Sequence, residues 1–231
     1  IILMKYLSFD IGIKNLAYCI INENKIIEDW GIINIIDDEP IHKCSEINKN
    51  KNKCNSNATY FNKKKNLYCC NKHYKILDDK SYKIIKKINA NKIDLEILGI
   101  SLLKKLKEKD NFKECEYIIL ENQPVLKNPK MKSIQMIVYT YFLMLKLEHN
   151  IIQKIKIFLP KNKLNIYDGP KLETLSKNKY DNRKKQSIVI TKYILEKYNE
   201  ESMILYLNNH TKKDDLCDCY LQGLCYIDKF K

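Results

Sequence analysis

Four acidic side chains stand where carboxylates can do chemistry. Asp10 ends the apolar run LMKYLSFD and Glu121 ends CEYIILE. Asp215 and Asp218 are three residues apart at the start of an apolar, helix-like segment, so they share one face, while Asp214 is turned about 100° from Asp215. A strand-ending Asp is ordinarily a turn former, and acids at a helix start cap it or answer its dipole. Acids beside Tyr6–Phe9 and Ile118–Leu120 face a further problem, because unpaired charge next to a core is costly. A divalent cation is the natural neutraliser, and hard oxygen ligands select Mg²⁺, with Mn²⁺ as a substitute. Two such ions about 3.5–4 Å apart are the device for in-line displacement at phosphorus.

A second constellation lies within 42–80: His42, Cys44, Cys54, Cys69, Cys70 and His73. Cys44-x9-Cys54 with Cys70-x2-His73 makes a closed, structural Cys₃His zinc site. Cys69 in place of Cys70 stays open, with His42 as an outlying fifth candidate. The segment has few apolar residues, so bound metal would supply folding free energy, on the order of 10 kcal/mol in zinc-finger peptides. The plain alternative is a flexible basic insertion with free thiols.

The elements that must position these residues follow from patterning. Residues 3–10, 16–22 and 26–36 read as three strands of an antiparallel meander. Composition then shifts, and 40–80 reads as an insertion. Ile84, Ile88, Leu95, Leu98, Leu102 and Leu106 mark a helical period over 81–109. Residues 115–121 read as a central strand, 131–148 as a helix and 154–159 as a strand. A polar basic loop over 160–186 precedes helices at 187–199 and from 212 to 227. This order predicts an α/β fold, a mixed sheet flanked by helices, with sites at the carboxyl ends of strands. One domain, 1–231, would be interrupted by the basic Cys/His module at 40–80.

The chain has 231 residues, and 42 Lys and Arg against 28 Asp and Glu give +14. That charge points to a polyanionic partner, nucleic acid before an anionic membrane surface. A composition 45% hydrophobic and 30% charged excludes wholesale disorder and an integral membrane protein. Ile134–Leu147, the longest apolar stretch, is too short to span a bilayer. Nine cysteines, an odd number, with no charged n-region or cleavage site in residues 1–10, predict an intracellular reducing compartment without disulfides. Whether the natural start is Met4 stays open. Two basic blocks offer phosphate contacts: the insertion with Lys63, Lys64 and Lys65, and the loop over 159–187 with Lys161, Arg183, Lys184 and Lys185. Tyr60, Phe61, Tyr68, Tyr167 and Tyr180 are interleaved with them and could stack on unpaired bases or fill core.

The segments LSFDIGIKNLAYCII, IILENQP and KKDDLCDCYLQGL, in that order, resemble the RuvC-type Holliday junction resolvases, nearest to the poxvirus, large DNA virus and fungal mitochondrial branch. The resemblance spans residues 7–223 outside the insertion. It implies a ribonuclease-H-like fold and a Mg-dependent endodeoxyribonuclease that resolves four-way junctions. It also implies a homodimer on branched DNA, whose two-fold axis matches paired cuts, and no membrane. Asp10 would match the first-strand metal ligand, Glu121 the fourth-strand ligand, and Asp215 and Asp218 the paired acids of the last helix, Asp215 being preferred to Asp214 by the D-x-x-D spacing. A lysine near the scissile phosphate is also implied: Lys163 first, then Lys161, with Lys184 and Lys185 as second choices, stabilising charge on the phosphate. Similar Cys/His insertions in related viral resolvases support zinc. Cys217 and Cys219 depart from the family's small residues and read, with Cys225, as buried packing. The helix at 131–148, with Met136, Tyr139, Phe142, Leu143 and Met144, would serve core and dimer interface. The competing readings are another ribonuclease-H-like nuclease, acting on RNA–DNA hybrids or flaps, and a non-catalytic zinc-bearing DNA-binding module. A phosphotransferase of the actin and sugar-kinase type would need Gly-rich loops, whereas Gly31, Gly99, Gly169 and Gly223 are isolated. A viral replication site, nucleus and organelle are not distinguished.

Overall fold

A computed structural model describes residues 3–37, 40–86, 88–126, 128–159 and 163–230. The chain divides into two compact units, Ile1–Ile36 with Ala90–Lys231, and Asp37–Asn89. The larger unit opens with strands β1 (Lys5–Asp10), β2 (Asn15–Asn22) and β3 (Ile27–Asn34), paired antiparallel in sequence. The turn from β1 to β2 folds so tightly that a Cβ on Gly12 would stand 2.2 Å from the Asn15 carbonyl oxygen, which only glycine avoids.

The chain then forms the smaller unit. Strands β4 (Tyr60–Asn62) and β5 (Leu67–Cys69) are followed by helix α1 (Asn71–Leu77) and strand β6 (Lys83–Ile84), giving a sheet of order β5-β4-β6. Ahead of β4, bridges Lys43↔Asn57 and Ile47↔Lys53 make a hairpin-like loop. Among the described residues, the buried apolar side chains of this unit are Cys44, Cys69, Cys70 and Tyr82. The helical period expected over 81–94 is not used: Ile84 pairs with Tyr60, Ile85 N donates to Thr59 O, and Ile84 and Ile88 are exposed. Pairing to an open strand edge outweighs a weak local period.

Back in the larger unit come helix α2 (Leu95–Lys107), strand β7 (Tyr117–Glu121), helix α3 (Pro129–His149), strand β8 (Lys154–Phe158) and helices α4 (Lys179–Lys197), α5 (Glu201–Asn209) and α6 (Lys213–Phe230). The sheet order is β3-β2-β1-β7-β8, with β7 parallel to both β1 and β8. This is the mixed ribonuclease-H-like arrangement, and it leaves β1 and β7 interior. Side chains alternate across each strand. Leu7 and Phe9 face a core with Leu98, Leu102 and Leu106 of α2 and Ile134, Val138 and Phe142 of α3. Tyr6 and Ile119 face the opposite core, built with Ile190 and Ile194 of α4 and Leu216, Tyr220 and Leu224 of α6.

Two helical segments differ from expectation. Helix α4 begins at Lys179 rather than 187, because Asn178 caps it by accepting from Tyr180 N and Asp181 N. Its first two turns, KYDNRKKQ, carry no apolar period to betray them. Helix α5 stands where no element was expected; it buries only Leu207 and contributes too short a pattern. Among the described residues no helix is long and apolar enough to cross a membrane.

Candidate active site and metal centre

Strand alternation places the first two acids. Phe9 is opposite Leu120 across the parallel β1–β7 pair, so Asp10 and Glu121 follow side by side at the carboxyl ends of adjacent central strands. Tyr6, Ser8 and Asp10 share one parity on β1, and Tyr117, Ile119 and Glu121 share it on β7. Both carboxylates therefore turn to the face covered by α6.

Helix α6 is pinned to that face. Gln222 Nε2 donates to Ser8 Oγ and to the Phe9 carbonyl, both at 3.1 Å. Trp30 Nε1 donates to the Leu216 carbonyl at 3.0 Å. A Cβ on Gly223 would lie 2.6 Å from Ile21 Cδ1 and 3.1 Å from Ser8 Cβ, so the helix approaches the sheet closely. Asp218 stands one turn before Gln222 and comes to the end of β1. Cys217, Cys219 and Cys225 are buried in the packing of α6, where burial raises each thiol, Cys217 to about 12.

Lys163 completes the group. Its ammonium lies 2.8 Å from Asp218 Oδ1 and interacts with Asp10 and Glu121 as well. Burial works to lower the lysine's pKa, and the surrounding carboxylates outweigh it, leaving a firmly charged ammonium. Burial first, then the charge and hydrogen bond of Glu121, push the Asp10 carboxyl well above the usual carboxylate range. Asp218 is also raised, by burial, with Lys163 opposing. Glu121 is held in place: Gln123 Nε2 donates to its Oε2 at 2.8 Å, and Gln123 N donates to Gln135 Oε1 at 3.1 Å. Lys132 Nζ reaches the same Gln135 oxygen at 2.9 Å. Sequence reading held Gln123 only as part of the segment IILENQP and gave it no role; Ser8 and Gln222 lay unremarked in the other two segments, and Gln135 carried no signal beyond a polar residue among apolar ones.

The structure thus brings together Asp10, Glu121, Asp218 and Lys163. Asp215 stays one helical turn outside. Burial and then Asp214 raise its carboxyl, and Asp218 enters only as a lesser influence. Asp214 is engaged by Lys184 of α4, which lowers its pKa against burial. Of the basic residues expected on nucleic acid, Lys161 lies outside the described residues. Lys184 is turned to Asp214, and Lys185 Nζ donates to the Leu175 carbonyl at 3.1 Å. Arg183, Lys63 and Lys64 are exposed, and Lys65 lies 3.1 Å from Asp79 Oδ2. Tyr60 stacks on Tyr74, Tyr167 packs edge-on against Tyr193, and Tyr180 is exposed under the Lys184 ammonium.

In the smaller unit, the ligand atoms of Cys44, Cys54, Cys70 and His73 all lie within 4.8 Å of one another. It is the sole set of three or more His, Cys, Asp or Glu drawn so tightly among the described residues; the acids of the larger unit stand more widely, with Lys163 in reach of three of them. His73 Nδ1 is 3.5 Å from both Cys44 Sγ and Cys70 Sγ, and Cys54 Sγ is 3.9 Å from Cys70 Sγ. The nine-residue gap closes because 43–57 doubles back, with Cys44 N donating to Ser56 O and Cys54 N to Glu46 O. Cys70 begins α1, which sets His73 one turn on. A hydrogen bond to the Ser56 side chain, then one to its backbone, lowers the Cys54 thiol to about 6. A ready thiolate suits a soft-ligand cation such as zinc. Cys69 faces away, its Sγ donating to the Cys70 carbonyl, and burial raises it to about 12. His42 is stacked on Tyr68.

The uncharacterized protein L451 of Acanthamoeba polyphaga mimivirus is 30% identical to this chain, across 97% of it and 75% of the viral protein. The chain belongs to the L451 family. No family model matches it. Solved structures similar to this L451-family chain include the yeast mitochondrial Holliday junction resolvase Ydc2 (TM-score 0.47, 17% identity, 99% of this chain and 83% of that one). Another is the fowlpox virus resolvase, crystallised with substrate Holliday junction DNA (TM-score 0.44, 20% identity, 99% and 100%).

Proposed function

We propose that this L451-family chain is a RuvC-type, metal-dependent endonuclease that resolves four-way DNA junctions. The observation carrying the proposal is the convergence of Asp10, Glu121 and Asp218, from three distant parts of the chain, around one partly buried lysine. Three carboxylates against one ammonium leave two negative charges in a poorly solvated site, which a divalent cation would neutralise. The donors are hard oxygens, so the residues fit Mg²⁺ or Mn²⁺. When bound, such ions lower the pKa of water and stabilise a leaving oxygen. Asp10, Glu121 and Asp218 would hold the first ion, with Asp215 at the outer edge for a second. Lys163 would donate to a non-bridging phosphate oxygen, where negative charge develops. Gln123 fixes the Glu121 carboxylate. With water as nucleophile, the products are 5′-phosphate and 3′-hydroxyl ends.

The smaller unit would be held by structural zinc on Cys44, Cys54, Cys70 and His73. Lys63, Lys64, Lys65, Lys161, Arg183, Lys184 and Lys185 would meet backbone phosphates, which position DNA without reading its sequence. A symmetric dimer would present two active sites to a two-fold junction. Supporting that, α3 leaves Met136, Leu143, Met144 and Leu147 exposed on one side, although Phe142 is buried and Tyr139 partly so.

The test is cleavage of labelled four-way junction, linear duplex and RNA–DNA hybrid with Mg²⁺. Paired nicks in the junction alone, lost in Asp10→Asn, are expected. Cleavage of the hybrid would favour the other nuclease reading, and binding without cutting would favour a DNA-binding module.

A further inference from the structure

The smaller unit carries a groove of about 910 Å³ that lies apart from its Cys/His set. Strand β5 supplies Tyr68, which stacks on His42 with ring centroids 3.9 Å apart and planes 11° from parallel. It also stacks on Phe61 of β4, at 4.6 Å and 28°. These three rings form one polar-edged aromatic wall, and Ile84 and Ile85 add apolar surface. Around it stand Lys63, Lys64, Lys80, Lys83 and Lys86. All five are exposed, and among the described residues no ion pair engages any of them and no acidic residue lines the groove.

Two features coincide here that a merely solvated face does not need together. Five lysines on one rim concentrate positive charge where a phosphate backbone would release counterions on binding. Tyr68 is sandwiched between His42 and Phe61, so the wall offers bases the outer faces of those two rings, and stacking requires bases that are not already paired and stacked within a duplex. A membrane headgroup would use the charge and leave the ring wall idle. We propose that this groove is a binding site for a single, unpaired DNA strand, with phosphates on the lysine rim and bases against the His42–Tyr68–Phe61 wall. The site goes beyond the junction-cutting proposal and does not depend on the carboxylate centre, since binding rather than cleavage reads it out.

The intact chain, in magnesium-free buffer, is titrated against fluorescein-labelled dT12, an abasic 12-mer of equal charge, and a 12-base-pair duplex, followed by anisotropy. The double variant Lys80→Glu/Lys83→Glu weakens dT12 binding at least tenfold. Tyr68→Ala removes the ring on which His42 and Phe61 both stack; it weakens dT12 binding fivefold or more, on the scale of one lost base stack, and leaves the abasic strand within twofold. His42→Ala removes one ring of the wall without touching the β4–β5 pairing and shifts dT12 in the same direction, which separates lost stacking from lost folding. Unchanged dT12 affinity in His42→Ala and the lysine pair overturns the proposal. So does an equal loss for dT12 and the abasic strand, which would mark a general polyanion surface, or duplex binding as tight as dT12.

Discussion

At the scale of single residues, the chemistry rests on charges held where water cannot fully screen them. Asp10 is the clearest case, because burial and Glu121 both oppose its ionisation. A carboxyl raised in the folded state contributes stability below the usual carboxylate range and loses it as pH rises through the raised value. In magnesium-free buffer, Asp10→Asn should therefore raise the melting temperature at pH 8, by about 2–4 °C for roughly 1 kcal/mol in a chain of this size. The gain should vanish at acid pH, where Asp10 is protonated. A melting temperature that falls at pH 8 would mean that Asp10 is satisfied without a cation. Lys163 belongs to the same ledger of charges: Lys163→Met leaves Asp218 without its 2.8 Å partner. Junction cutting by that variant should drop at least a hundredfold, the scale of one lost transition-state donor; a rate within threefold of wild type would remove the lysine from the mechanism.

At the scale of elements, α6 is the part that converts a sheet into a site. Gln222 and Gly223 fix its distance from β1 and β2, and Asp218 inherits its position from them. In Gly223→Ala the added methyl meets Ile21 in a filled core, costing about 1–3 kcal/mol. Urea denaturation should show that loss together with weaker cutting, whereas full stability would mean the helix rides higher than described. Much of this was legible in the residues. The apolar runs ending in Asp10 and Glu121 marked two strand ends, and D-x-x-D marked the helix start. The pattern put Asp215 and Asp218 on one face but did not disclose how far α6 would slide along the sheet, and so did not say that Asp218 would be the one to meet Lys163 and Asp10. The polar opening turns of α4 and the short α5 were missed because neither presents an apolar stripe, and the weak period over 81–94 misled because β6 found an edge to pair with.

At the scale of the whole molecule, two units differ in what holds them. The larger has apolar cores on both faces of its sheet. The smaller buries little beyond Cys44, Cys69, Cys70 and Tyr82, too small a core for independent stability. Stripping zinc with a thiol-tolerant chelator should abolish hydrogen-exchange protection over 37–89 and spare the strands of the larger unit. Cys70→Ser should do the same, with loss of bound zinc by mass spectrometry. Protection of 37–89 that survives either treatment would leave the metal without a structural role. The nuclease proposal itself is tested most directly by Mn²⁺ titration followed by electron paramagnetic resonance, in wild-type protein and in Glu121→Gln. Uptake of at least one Mn²⁺ by the wild type that the variant does not take up is the predicted result. Identical uptake by both would contradict a cation site built from these acids.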